Sequence, residues 1–173
     1  TWTDAVTEST LSNTVNTFTG GTNAATAGNI YRNDARDLTI NNYSGYTNIF
    51  YAHDENDATQ FAAGDTIIKS AAEGSVVSLI TDNSGIAMDN EYSVANVLNA
   101  LAGKLTYSAY AKGEKNLTGF VKIAGGLTAS SKSLQTGNIA FSDKDGKGSL
   151  AEGTVTPGVK YPDTQKPEAT EKN

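Results

Sequence analysis

Short runs of alternating apolar and polar residues cover much of the first 81 positions, with turn residues between them. The clearest run spans 37–41, where Leu38 and Ile40 fall on one side. Similar runs follow at 46–52, 66–70 and 75–81, with Gly, Asn or Asp at the corners. Because successive strand residues point to opposite faces, this pattern predicts short strands separated by tight turns. Residues 1–29 have weaker alternation and predict short strands or an edge segment.

One stretch has a different period. From Ser93 to Leu105 the apolar residues recur every three or four positions, which is the spacing of one helical face; they are Val94, Val97, Leu98, Leu101 and Leu105. Asn90 or Ser93 could cap the start, and Gly103 lies where helices commonly end in a left-handed residue. We therefore predict one amphipathic helix at about 93–104, with Val97, Leu98 and Leu101 facing the core.

After the helix the strand pattern returns at 106–111, 117–123 and 137–142. Short strands of similar length with glycine corners predict a mostly β fold, a parallel β-helix (solenoid)-like fragment with the helix packed across its rungs. An antiparallel β-sandwich is the alternative. Residues 67–74 and 120–126 share the order apolar, apolar, Lys, any, Ala, then Gly. This similarity predicts equivalent positions in two turns of a solenoid.

The end of the chain has another composition. All three prolines lie beyond position 153, in a stretch with few apolar residues. Such a stretch lacks the apolar area needed to offset the entropy of ordering it. We therefore predict a β-rich module at 1–153 and an extended Pro/Lys/Glu linker or tail at 154–173.

Charge and cysteine content narrow the classes of partner and site. The net charge is −6, and residues 1–102 hold twelve acidic side chains against three basic ones. An acidic surface repels phosphate backbones, so we expect no nucleic-acid partner. The absence of cysteine excludes disulfides and Cys-based metal sites. No apolar run is long enough to span a membrane as a helix.

The block from Asn90 to Gly148 resembles a segment of large bacterial autotransporters and related surface adhesins. The residues that carry the resemblance are VANVLNALAGKLTYSAY (94–110), GEKNLTGFVKIAGGLTASS (113–131) and LQTGNIAFSDKDGKG (134–148). The segments at 37–54 and 66–85 are similar to the rungs that precede such a block. The resemblance implies an exported, right-handed parallel β-helix passenger of a Gram-negative cell surface, with a role in cell adhesion and no catalytic residues.

The chain starts at Thr1-Trp2, and we expect it to be part of a longer exported protein. Attachment to the outer membrane would then use a C-terminal region outside these residues. The expected partners are a host or bacterial surface glycan or protein, together with neighbouring domains of the same chain.

Two acidic segments are candidates for binding a metal ion. Asp143 and Asp145, followed by Gly146, contain ingredients of an oxygen-ligand Ca²⁺ loop, but position 147 is Lys and a plain Asp-Gly turn is the favoured interpretation. His53 lies beside three carboxylates within 54–57. A transition-metal site would need another His or Cys ligand, so a solvated polar loop is favoured there. We expect no cofactor, with Ca²⁺ as the alternative.

Catalysis and sugar binding give the alternative functions. Polysaccharide cleavage needs two carboxylates in one cleft, for which Asp54, Asp57 and Asp82 are candidates. Seven tyrosines could supply a platform for sugar stacking, or could fill and edge the core; they are Tyr31, Tyr43, Tyr46, Tyr51, Tyr92, Tyr107 and Tyr110. The sequence predicts a non-catalytic exported surface module, a scaffold or adhesin segment. A carbohydrate-active β-helix enzyme, a glycan-binding module and a purely structural fibre component are the alternatives.

Overall fold

The computed structural model describes residues 5–8, 12–83, 91–107, 116–125, 139–144 and 147–150. Within these residues the chain is mostly β, and most strands belong to two parallel ladders. Ladder A contains β2 (Ser12–Thr19), β4 (Asp37–Ser44), β8 (Thr66–Ile68) and β10 (Leu105–Tyr107). Ladder B contains β3 (Gly28–Arg32), β5 (Tyr46–Tyr51), β9 (Ser75–Asp82) and β11 (Leu117–Ala124). A short 3-10 turn, Ala24–Thr26, lies between β2 and β3.

The chain visits the two ladders alternately, so strands that follow each other in sequence lie in different ladders. Within each ladder every neighbouring pair is parallel. This is not the hairpin pairing of an antiparallel sandwich, and it is compatible with a β-helix-like fold. The prediction that residues 67–74 and 120–126 occupy equivalent positions in two turns was wrong. Ile67 pairs with Thr106 in ladder A, whereas Phe120 pairs with Ser78 in ladder B, so the two segments are not equivalent.

Aligned apolar rows from both ladders form the core. Pairing between neighbouring strands aligns one residue from each strand of a ladder into a row. Each ladder has one central row, and every residue of these two rows is at most 4% exposed. The row in ladder A is Val15, Ile40, Ile68 and Tyr107. The row in ladder B is Ile30, Ile49, Leu79 and Val121. Because the register is parallel, each buried residue packs beside its counterpart in the next strand, and burial of these rows stabilises both ladders together.

One of the corners that lead from ladder A to ladder B consists of a single residue. Gly45 alone connects β4 to β5, with φ of +91°, a value that L side chains rarely adopt. Its carbonyl accepts a hydrogen bond from the Val76 N–H at 2.8 Å, which ties this corner to the start of β9.

The corner from ladder B back to ladder A holds the insertions. Between β5 and β8 the chain forms a small hairpin, β6 (His53–Asp54) with β7 (Asp57–Phe61). Between β9 and β10 it forms helix α1 (Glu91–Ala102). The helix contacts β7, so the two insertions lie against each other.

Helix α1 confirms the predicted amphipathic stretch, with shifted ends. Val97, Leu98 and Leu101 are 0–2% exposed and belong to the same core cluster as the ladders. Ser93 lies inside the helix rather than at its cap, and Leu105 begins β10. Gly103 has no positive φ. Instead its N–H donates to the Asn99 carbonyl at 3.0 Å, so the last turn closes without a left-handed residue.

The two ends of the ladders differ. At one end β12 (Ile139–Lys144) pairs antiparallel with β11, and β13 (Lys147–Leu150) pairs antiparallel with β10. These two strands also pair with each other, so they join ladder A to ladder B. At the other end β1 (Ala5–Glu8) pairs antiparallel with β2. The predicted tail at 154–173 lies outside the described residues.

Candidate functional site

The outer face of ladder B carries an aromatic and apolar row near the ends of its strands. Tyr31, Phe50 and Ile80 are aligned laterally by the parallel register, and Lys122 follows on β11. Each stands next to a buried inward residue, because strand side chains alternate between faces. The row therefore forms one continuous strip across four strands.

Two rings of this strip are stacked on each other. The centroids of Tyr31 and Phe50 are 5.0 Å apart and the rings are inclined by 14°. Tyr31 is 68% exposed, although it is a large hydrophobic residue at the end of the strip. Burial of one ring face against Phe50 fixes the orientation of Tyr31, while most of its surface stays accessible to a ligand.

A groove of about 380 Å³ lies over these side chains. Tyr31, Phe50, Ile80 and Ala124 give it an apolar floor, and Asn33 and Asp82 also line it. Its volume lies within the range of sites that hold small ligands. An apolar floor with a few polar groups is the composition that such sites usually have.

A buried polar network lies on the other side of the sheet. Arg32 is 6% exposed, and its Nη1 lies within hydrogen-bonding distance of the Tyr51 hydroxyl at 3.2 Å, the Thr66 hydroxyl at 3.1 Å and the Gly64 carbonyl at 3.1 Å. The guanidinium also donates to the carbonyl of Arg36. These bonds connect ladder B to the start of β8 in ladder A, so they hold the strand ends beneath the groove in place.

The hydroxyls of this network are sheltered from solvent. The Tyr51 hydroxyl lies 2.6 Å from the Thr66 hydroxyl. Burial raises the pKa of Tyr51, and the nearby Arg32 charge lowers it to a smaller extent. The tyrosine is therefore a neutral hydrogen-bonding group at physiological pH, with a structural role.

His53 supports the acidic rim of the groove. Its Nε2 lies 2.8 Å from the Asp82 carbonyl and 3.4 Å from an Asp82 carboxylate oxygen. Its ring stacks on Phe61 at a centroid distance of 5.5 Å. The expectation of a solvated loop was wrong for this residue, because the side chain is only 11% exposed. The segment folds into a hairpin whose turn is held by the Asp54 carboxylate, which accepts from the Asn56 N–H at 2.7 Å.

Of the seven tyrosines, Tyr31 and Tyr51 line the groove, and of these two Tyr31 is the exposed one. Tyr43, Tyr51 and Tyr107 are at most 3% exposed and fill the core. Tyr46 is half-buried and is the first residue of β5, so it lies at the strand end away from the groove. Nothing is described for the side chain of Tyr92, and Tyr110 lies outside the described residues. The platform hypothesis is therefore reduced to Tyr31, joined by Phe50.

Sequence reasoning did not identify Phe50 and Ile80 as site residues. Tyr31, Phe50 and Ile80 become neighbours only through the register of β3, β5 and β9. The available signal was that each directly follows an apolar residue of its strand, and these preceding residues, Ile30, Ile49 and Leu79, are buried.

The calcium candidate falls at the hairpin of β12 and β13. Asp143 pairs with Gly148 across this hairpin. Asp145 lies outside the described residues, so the choice between a Ca²⁺ loop and a plain Asp-Gly turn stays a prediction. Among the residues that the structure describes, no group of three or more His, Asp or Glu side chains is close enough to hold a metal ion.

Comparison with known proteins gave no matching family, no similar curated protein and no similar solved structure. In the part of the chain that the structure covers, no helix has both the length and the apolar character needed to span a membrane. The site must therefore be interpreted from its own geometry.

Proposed function

We propose that this chain is a non-catalytic binding module of an exported cell-surface protein, with a β-solenoid as the scaffold. The alternating visits to two parallel ladders support the solenoid interpretation, because each pair of visits corresponds to one turn of a coil. The resemblance of residues 90–148 to autotransporter passengers supports the extracellular location and the role as an adhesin or scaffold.

The observation that carries the binding function is the groove over Tyr31 and Phe50. Aromatic side chains supply a large contact area at low entropic cost. The exposed ring of Tyr31 is already oriented by its stack on Phe50, so a ligand would not have to order it. A pyranose sugar combines an apolar ring face with hydroxyl groups at its edge. The ring face would pack on Tyr31, and Asn33 and Asp82 would reach the hydroxyls, so we propose a surface glycan as the ligand.

The lining of the groove favours binding over cleavage. Among its described residues one has a carboxylate, Asp82. Hydrolysis of a glycosidic bond uses a pair of carboxyl groups facing the same bond. A ligand held by stacking needs only the aromatic surface and a few hydrogen bonds.

A glycan array with matched variants tests the proposal. We expect the chain to bind a subset of glycans, and Tyr31→Ala and Phe50→Ala to abolish that signal. Tyr46→Ala is the control, since it removes the same ring from the same strand ladder outside the groove. Loss in all three variants would point to misfolding, which melting curves would reveal.

Two results would replace the proposal. A folded chain that binds no glycan would favour the purely structural fibre component. Release of reducing ends from a polysaccharide, abolished by Asp82→Asn, would favour the enzyme. Export is tested separately, by protease treatment of intact cells that produce the complete protein: the module should be cleaved without lysis.

A further inference from the structure

A pair of asparagines lies beside the stacked rings of Tyr31 and Phe50, on the same face of ladder B. Asn29 and Asn48 precede the two aromatic residues by two positions, and the register that aligns the rings also aligns the asparagines. Because strand side chains alternate between faces, all four side chains project from the outer face. Two residues of a strand span about 6.6 Å, so the amides stand about the width of one sugar ring from the aromatic pair.

The two amide groups are bonded to each other, which fixes the groups that they leave for a ligand. Asn48 Nδ2 donates to Asn29 Oδ1 at 3.3 Å. An amide side chain has two N–H donors and a carbonyl oxygen, so this bond satisfies only part of each. Within the described residues, Asn29 Nδ2 and Asn48 Oδ1 make no further hydrogen bond. Asn29 is exposed and Asn48 is half-buried, and the pair therefore presents one donor group beside one acceptor.

We propose that Asn29 and Asn48 form a second polar edge of the glycan site and select a sugar with two adjacent free hydroxyls, an inference that rests on the proposed glycan-binding function. A pyranose has hydroxyls around its edge, so a site that packs its ring face on Tyr31 needs polar groups on both sides of that residue. Asn33 and Asp82 line the groove on one side, and the asparagine pair lies on the other. One sugar hydroxyl accepts from Asn29 Nδ2, and its neighbour donates to Asn48 Oδ1.

The asparagine edge is confined to β3 and β5. Ser78 follows Asn48 in the same row and is only 9% exposed, and Phe120 follows Ser78. The hydroxyl pair is therefore read on the sugar that lies over the first two strands of ladder B, while the apolar floor farther along the groove accepts the rest of the glycan. Both asparagines project from the face of the ladder and not from its edge, so a further strand paired beside β3 would leave them accessible.

A second asparagine pair, on ladder A, separates a binding role from a structural one. Asn41 Nδ2 lies 3.5 Å from Asn16 Oδ1, and neither residue lines the groove. If such pairs only support the alignment of neighbouring strands, removal of either pair should change stability and leave glycan binding alone. If the pair on ladder B touches the sugar, its removal should change binding and removal of the pair on ladder A should not.

Calorimetric titrations of the unaltered chain and its variants test the proposal. The probes are lactose, cellobiose and maltose, together with any glycan retained on the array. Asn29→Ala and Asn48→Ala should each raise Kd about three- to tenfold, as expected for one lost hydrogen bond, whereas Asn41→Ala should leave Kd unchanged. If Tyr31→Ala abolishes binding but both ladder B variants keep the original Kd, this inference is overturned and the proposed function stands. An equal rise in Kd for Asn41→Ala would also overturn it, and a folded chain that binds none of the probes would overturn both.

Monodeoxy derivatives of the best-binding probe identify the hydroxyls themselves. Two derivatives, lacking hydroxyls at adjacent ring positions, should bind the unaltered chain more weakly. One of them should lose no further affinity in Asn29→Ala and the other none in Asn48→Ala, because the partner of the missing hydroxyl is already absent. Losses that add for every combination of derivative and variant would show that the asparagines and these hydroxyls do not meet, which contradicts the proposal.

Discussion

Two glycines with similar backbone angles should respond very differently to alanine. Gly45 has φ of +91° and Gly74 has φ of +85°. A Cβ at Gly74 would meet nothing within 4 Å, whereas at Gly45 it would lie 2.8 Å from the Gly21 oxygen and 2.9 Å from the Gly20 carbonyl carbon. Both substitutions therefore share the conformational penalty, and Gly45→Ala alone adds a clash with backbone.

The magnitudes can be estimated separately. A left-handed conformation costs an alanine about 1–2 kcal/mol. Reduced freedom of the unfolded chain offsets about 0.4–1 kcal/mol of this cost. Gly74→Ala should thus lower the free energy of unfolding by about 1 kcal/mol. Gly45→Ala must also displace Gly21, whose backbone exchanges two hydrogen bonds with Tyr46 at 2.8 and 2.9 Å. At about 1 kcal/mol each, their loss brings the total to about 3 kcal/mol.

Thermal unfolding followed by circular dichroism measures the difference. For a chain of this size, 1 kcal/mol corresponds to about 2–4 °C in Tm. Gly74→Ala should therefore lose about 2–4 °C and Gly45→Ala roughly three times as much. Equal decreases in Tm would show that the close contacts around Gly45 relax without cost. The corner at Gly45 would then not constrain the two ladders.

Three further predictions concern the core. Leu98→Ala should lower the free energy of unfolding by roughly 2–5 kcal/mol in urea titrations, with exposed Asn96→Ala changing it by less than about 0.5 kcal/mol; an unchanged urea midpoint for Leu98→Ala would mean that the helix is not part of the core. Burial raises the pKa of Tyr43, so the folded chain keeps a proton that the unfolded chain releases, and stability should be full below about pH 10 and fall above it. Tyr43→Phe should be less stable at neutral pH, because the hydroxyl donates to the Val76 carbonyl at 2.6 Å, and should show a shallower alkaline decline in unfolding midpoint; equal slopes would contradict the linkage. Arg32→Lys should lower Tm, because an ammonium group cannot reproduce the planar fork of donors that Arg32 presents; a Tm equal to that of the unaltered chain would show that the network beneath the groove adds no stability.

The sequence predicted the strands and the helix where a local pattern was sufficient. Alternation located β4 and β5, and the three-and-four spacing located the buried face of α1. Strand pairing could not be predicted in the same way. Ile30, Ile49, Leu79 and Val121 are aligned although they are 19, 30 and 42 residues apart. Unequal intervals conceal the repeat, because the insertions at one corner change the length of each turn.

The site was less accessible to sequence reasoning than the fold. Arg32 is the kind of residue expected at the surface, yet it is buried because backbone carbonyls and hydroxyls converge on its guanidinium. His53 resembled part of a polar loop, but its ring is enclosed between Phe61 and the end of β9. The Arg32 partners at 64–66 and the His53 partner Asp82 are about 30 residues away in sequence, and no local pattern indicates them.

The unequal corners make this chain a natural host for grafted peptides. The corner from ladder B to ladder A contains the β6–β7 hairpin in one turn and helix α1 in the next. The strands of ladder A that follow these insertions still pair in parallel register. The other corner is limited in one turn to Gly45, where even a methyl group would collide with backbone. Foreign sequence introduced at the tip of the β6–β7 hairpin, around Glu55 and Asn56, should therefore leave both ladders in place. Such insertions would project from the same side of the molecule, so this side could be diversified as a display surface while the rest of the framework stays constant.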